Sequence, residues 1–271
     1  MAEAFFFSLV VGIFVGLSAG YLGSLMVLEK MALVGDALSH VALPGLALGI
    51  LFNFDPFLGA FAFLFGSAVI IWHVGRVTRL SFETIVGAVF TLALAVGIII
   101  IPEADLLEAL FGDITTVTML DTIVAVLIAV IAVYLTRLIY DKIVLGMISE
   151  ELAISKGINV AATNLLYLLL VTLVVAIGIK ITGTLLVGFL VVVPAAAAKN
   201  LSSNLFRYSV LSAVFGAISS SSGVLLQGLL SGYLSLPAER VNHLAGPLIV
   251  LVGVAIFLAT ILLRARAKAR F

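Results

Sequence analysis

The chain has no cysteine in its 271 residues, which excludes disulfides, thiolate metal ligands and cysteine nucleophiles in one step. Charge is almost as scarce. Asp, Glu, Lys and Arg make up 10% of the residues, against about 25% in an average soluble domain, and 14 basic side chains balance 14 acidic ones. A net charge of zero gives no global attraction to nucleic acid. What fills the chain instead is apolar: 63% of residues are hydrophobic and the mean hydropathy is +1.35. No soluble core of this length absorbs that much apolar surface, so the composition predicts an all-α, polytopic membrane protein in which residues 1–271 form a single domain. The opening MAEAFFF has no basic stretch ahead of its apolar run, so a cleaved leader is not expected.

A helix crosses the hydrocarbon core in about 20 residues. Apolar runs near 5–28, 34–53, 57–75, 82–101, 119–139, 162–179, 184–199, 208–230 and 244–263 predict eight or nine spans, the short seventh and the proline-containing second being the marginal ones. If alternate connectors face the cytoplasm, that side collects twelve of the fourteen Lys and Arg, leaving out Lys180 and Arg240. The positive-inside rule then puts the C-terminus in the cytoplasm and, for an odd number of spans, the N-terminus outside. The outer connectors carry Asp55, Glu103, Asp105, Glu108, Asp113 and Glu239. In the first span Gly12, Gly16 and Gly20 form a small-residue face, a signal for close helix packing. Ser219 to Ser222 read as hydroxyls that satisfy themselves on the backbone one turn earlier.

The second span holds GDALSHVALPG, with Asp36 and His40 four residues apart and therefore on one helix face. Ionisable groups inside an apolar span are costly and need a reason. One reason is a buried Asp–His hydrogen bond that fastens helices. The other is a shared ligand pair, because a carboxylate oxygen with an imidazole nitrogen suits first-row divalent ions. Two ligands leave a site incomplete, which suits a pathway that must also release its ion. Pro44 and Gly45 are expected to interrupt the helix one turn later, and Pro194, followed by four alanines, to kink the seventh span. A catalytic triad is not available: Ser39 and His40 are adjacent on a helix and diverge by about 100°, and no G-x-S-x-G elbow occurs. His73, between Trp72 and Arg76, reads as an interfacial residue.

The longest polar connector, YDKIVLGMISEELAISKGINV, contains a short helix. Ser149 is its predicted N-cap, Glu150 and Glu151 fill the first turn, and Gly157 stops it. A helix lying on the cytoplasmic face is either a solvated connector or a handle for a partner.

Four stretches, KMALVGDALSHVALPGLALG, LFGDITTVTMLD, EELAISKGINV and LLVGFLVVVPAAAAKNLS, together with LSFETIVGAVFTLALAVGI, resemble the permease subunits of ATP-binding-cassette importers for zinc and manganese, and they follow the expected order over most of residues 10–260. The resemblance implies a non-catalytic transport subunit with no permanently bound cofactor, whose cargo is a divalent metal, Zn or Mn. It implies that Glu150, Glu151 and Gly157 belong to a coupling helix seated in a cytoplasmic ATPase subunit, and that Asp36 and His40 lie on the pathway with Pro44 and Pro194. Two permease copies, or a pair with a second permease, are expected around the pathway in the prokaryotic cell membrane, with an extracytoplasmic metal-binding protein above. No Walker A pattern occurs in this chain, so hydrolysis falls to a separate polypeptide. The other reading of the same composition is a stand-alone secondary cation transporter or channel.

One stretch departs from the family. After Leu236-Pro237 the chain inserts AERVNHLAGP, in which Glu239 and His243 stand four residues apart. If helical, they share a face and form a candidate metal-receiving pair at the outer mouth; otherwise they solvate a docking loop.

Overall fold

The computed structural model describes residues 2–78, 80–100, 117–233 and 244–268. The described residues are helical wherever the sequence is apolar. The helices are α1 (Ala2–Leu28), α2 (Ala32–Leu51), α3 (Pro56–Val77), α4 (Phe82–Ile100), α5 (Met119–Ile148), α6 (Glu150–Ser155), α7 (Val160–Leu201), α8 (Leu205–Tyr233) and α9 (Ala245–Lys268). Among these residues, eight helical segments are long and apolar enough to cross a membrane; Val187–Leu201 is a shorter apolar helix. Polar residues set the ends. Asp55 accepts from Phe57 N at 2.8 Å with Pro56 opening α3, Thr118 and Asp121 form a capping box on α5, and Asn159 caps α7 through Ala162 N at 3.0 Å. Large apolar side chains such as Leu92, Ile99 and Leu120 point outward, as they must where the surroundings are lipid.

The α7 segment is where the expected pair of spans takes an unexpected form. A straight 42-residue helix would run about 63 Å, yet both ends of α7 lie at the same end of the molecule. Its start follows α6 by a few residues. Its finish leads into Leu205, whose carbonyl accepts from Tyr140 Oη at 3.2 Å, eight residues before α5 hands over to α6. The reversal is at Gly183, whose φ of 69° is left-handed and favours glycine. The arms pack on each other, because a methyl added at Gly178 would meet both Val187 and, at 3.3 Å, Val15 of α1. From Val15, α1 continues to Ala2, about 20 Å further, so the turn lies inside the bundle. Thr184, next to it, is fully buried. The turn falls at Gly183, in the gap between the apolar runs 162–179 and 184–199, and Pro194 lies further along within the second arm.

The N-terminal half of α1 and the C-terminal end of α9 lie at opposite ends of the bundle. Leu28, the α6 end, Leu205 and Thr260 share one end, the last through Asn200 Nδ2 donating to Thr260 Oγ1 at 3.1 Å. That end is called the α6 end below.

Candidate functional site

Asp36 and His40 both project from the first half of α2, one turn apart. Asp36 faces Gly188 on the second arm of α7. A methyl at Gly188 would come 2.5 Å from Asp36 Cα and 2.8 Å from its Oδ1, so only glycine leaves the carboxylate its place. Gly188 stands seven residues, about 10 Å of helix, from Ala195, where Val27 and Leu28 pack. Asp36 thus sits well inside the bundle, displaced towards the α6 end. His40 is 8% exposed, its ring packs edge-on against Phe90 of α4 with centroids 5.4 Å apart, and its Nδ1 is buried without a hydrogen-bond partner. A buried imidazole nitrogen without a partner is expensive, so the fastening Asp–His bond does not explain the pair through that atom. Ser39 Oγ donates to the Asp36 carbonyl at 2.6 Å, away from any Ser–His bond.

The helix does not break at Pro44; α2 runs unbroken from Ala32 to Leu51. The proline instead removes the N–H that would have met the carbonyl of His40, four residues earlier. Gly45 serves a close approach rather than a break, since a methyl there would strike the Gly59 carbonyl of α3. Pro44 itself packs towards Gly97 of α4.

Two cavities open beside this site. One, of about 180 Å³, lies between α2 and α4, and Met31, Asp36, Glu83 and Phe90 are among its walls. The other, of about 220 Å³, reaches from Glu29 and Tyr167 past Trp72 and Arg76 to Glu150 of α6. Met31 and Val34 line both. Burial raises the Glu29 carboxyl from its ordinary 4.5 to about 7. Trp72 Nε1 donates to the Ala161 carbonyl at 2.8 Å and carries the Arg76 guanidinium on its face at 5.0 Å, an anchored pair beside an exposed His73. Among the described residues, no three of His, Asp or Glu come together as a complete metal cage.

The short helix forms as its residues dictate. Ser149 Oγ accepts from Leu152 N at 3.2 Å. Gly157, at φ 77°, closes it with a Schellman pair, Gly157 N to the Ile154 carbonyl at 2.8 Å and Ile158 N to the Ala153 carbonyl at 3.0 Å. Glu150 and Glu151 are exposed, as are Leu152 at 45% and Ile154 at 59%, while Ala153 holds the helix to the bundle. Glu239 and His243 lie outside the described residues. Glu83 and Gly188 escaped sequence reasoning. An acid in the first turn of a helix is commonplace, and Gly188 meets Asp36 only across about 150 residues of chain.

Residues 1–264 match the ABC 3 transport family. The manganese transport system membrane protein MntC of Listeria monocytogenes is 33% identical over 254 residues, covering 92% of this chain and 87% of its own. The high-affinity zinc uptake system membrane protein ZnuB of Buchnera aphidicola subsp. Baizongia pistaciae is 32% identical, with 83% and 89% covered. Among solved structures, PsaBC from Streptococcus pneumoniae in complex with Fab superposes with a TM-score of 0.76 at 32% identity, over 93% of this chain and 89% of that one. An inward-facing putative metal-chelate type ABC transporter shares the fold, with a TM-score of 0.75 at 17% identity over 94% and 84%.

Proposed function

This chain belongs to the ABC 3 transport family, and we propose from that premise that Asp36 and His40 are its ligands for the transported cation. The protein is the membrane permease subunit of an ABC importer for manganese or zinc, a transport role that is not itself catalytic, and it works with ATP-binding and substrate-binding partners in a cell membrane. The observation that carries the ligand reading is the orphan Nδ1 of His40, buried one turn from Asp36. Two donors hold a divalent ion loosely. A second permease, related by an axis along the pathway, supplies the remaining donors in this reading, which makes the working unit a pair.

In the same reading the α6 end faces the cytoplasm, where the basic connectors gather, and ATP is hydrolysed on a separate subunit that seats on α6. The exposed Leu152 and Ile154, flanked by Glu150 and Glu151 and closed by Gly157, give that subunit an apolar ridge with acidic edges. Pro44 and Pro194 line the passage. Glu239 and His243 act, as a weaker extension, as a receiving pair at the outer mouth.

One reconstitution tests the core of this. The permease is assembled with its ATPase and binding protein in proteoliposomes and supplied with Mn²⁺ or Zn²⁺. Asp36→Ala and His40→Ala should each lower uptake at least fiftyfold while the ATPase still co-purifies; normal uptake in either returns the pair to helix fastening. Reversing both Glu150 and Glu151 to Lys in the same preparation should release the ATPase. Stoichiometric ATPase with full transport in that variant would put the docking surface elsewhere.

A further inference from the structure

The cavity between α2 and α4 has a feature that helix packing does not require. Its two charged wall residues are both acids, Asp36 from α2 and Glu83 from the first turn of α4, with no Lys or Arg among the walls to neutralise them. Two carboxylates bordering one partly open cavity, with no cationic side chain on its walls, make it attractive to a cation. The volume, about 180 Å³, is far above the roughly 10–15 Å³ one water needs, so a divalent ion fits with part of its water shell. The cavity also has a polar neighbour without a partner. His40 is more than nine-tenths buried, its ring lies against Phe90, which walls the cavity, and its Nδ1 bonds to nothing in the protein. Met31 adds only a soft thioether sulfur to the walls, so the carboxylates are the groups suited to a hard divalent ion. Finally, there is a direction. Asp36 lies inside the bundle, whereas Glu83 is the second residue of α4 at the α6 end and is exposed to its surroundings.

We propose that Glu83 is an inner ligand that takes the divalent cation from Asp36 through this cavity and passes it to the solvent at the α6 end. The proposal rests on Asp36 and His40 holding the cation first. The exchange replaces one carboxylate oxygen by another on an ion that keeps its waters, so no step requires the bare ion in an apolar space. An exposed second ligand also lets go readily, as the last station of a pathway must.

A first-turn acid also suits the dipole of α4, and the test separates that role from ligation. The complete transporter, with its ATPase and binding protein, is reconstituted with Mn²⁺ as the probe, and initial uptake is followed against external Mn²⁺. Glu83→Gln, Glu83→Asp and Asp36→Asn are compared with the unaltered protein. If Glu83 is the inner ligand, Glu83→Gln lowers the maximal rate about tenfold and leaves the half-saturating Mn²⁺ concentration unchanged, because entry is untouched. Glu83→Asp, which keeps the carboxylate, recovers at least half of the lost rate. Wild-type uptake by Glu83→Gln overturns the proposal, as does a Glu83→Asp rate no better than that of Gln. Should Glu83→Gln not yield folded protein, Glu83→Asp against Glu83→Asn decides on the same criterion. Asp36→Asn identifies which reading failed. If it is inactive while Glu83→Gln is normal, only the inner ligand falls; if it transports normally, the Asp36–His40 site falls and the handover with it.

Discussion

Between α1 and α8, backbone meets backbone. A methyl at Gly16 would strike the Gly216 carbonyl and come 2.9 Å from Ser220 Cβ; Ser212 Oγ donates to the Gly20 carbonyl at 2.5 Å, and Ser24 Oγ donates to Ser209 Oγ at 2.8 Å. Between α2 and α4 the same kinds of apolar helix border a partly open cavity with two acids on its walls and an orphan imidazole beside it. The first seam excludes everything but protein, and its hydroxyls are short and neutral enough to be satisfied by a neighbouring backbone. The second keeps space and charge that packing alone would have eliminated. The contrast separates adhesion from transport: the filled seam makes the bundle rigid, and the hollow one supplies the room in which an ion can change ligands.

The filled seam should fail first when it is overfilled. Gly16→Leu drives a side chain into the Gly216 backbone, where nothing flexible can yield, and overpacking of this kind costs about 1–3 kcal/mol or more. The expected result is loss of most of the folded protein, read as a collapse of the monodisperse peak in size-exclusion chromatography. A normal yield would mean that α1 and α8 separate easily and that the seam is not the rigid half of the comparison.

The acid that borders the hollow seam is itself held by a close contact, that of α2 with the second arm of α7. Gly188→Ala adds one methyl 2.8 Å from Asp36 Oδ1 and 2.5 Å from its Cα, so the carboxylate must swing or α2 must shift. Uptake should fall about tenfold, a barrier of roughly 1.4 kcal/mol, and the thermal midpoint should drop as well, though less than for Gly16→Leu because a single methyl is added. A variant that transports normally would show that the position of Asp36 is not held by Gly188. One that does not fold would assign Gly188 to the packed class.

These two seams were unequally legible in the sequence. The small-residue face Gly12–Gly16–Gly20 points to close packing because its spacing matches the helix, and the structure sets it against Ser220, Gly216 and Ser212. Helix ends were legible for the same local reason, as with Ser149 and Gly157 around the short helix. Asp36 and His40 stood out through their cost in an apolar span. Pro44 misled, because a proline in a well-packed helix can leave one carbonyl unpaired without ending the helix, and Gly45 serves α3 rather than a turn. The apolar runs put a connector at Gly183, but its position inside the bundle depends on Val15, far away in the chain. Glu83 carried no local signal at all; it gains meaning only when α4 is laid against α2.

The smallest effect is expected where α1 leaves the filled seam and enters the second cavity. Glu29 ends there, partly buried beside Tyr167 and opposite Glu150, and burial holds its carboxyl near 7 against an ordinary 4.5. A raised carboxylate binds its proton more tightly in the folded protein than in the unfolded one. Below about 4.5 both states are protonated and Glu29 has no influence on stability. As the pH rises from about 4.5 to about 7 the unfolded state gains by ionising first, so stability falls through that window and stays reduced above it. Glu29→Gln keeps the shape and removes the ionisation. Its thermal midpoint in detergent should equal that of the unaltered protein near pH 4.5 and exceed it at pH 8 by roughly 2–4 °C, the shift that about 1 kcal/mol produces in a chain of this size. A midpoint difference that is the same at both pH values would show that Glu29 ionises freely into solvent, and that the space at the end of α1 is open water rather than an extension of the hollow side of the bundle.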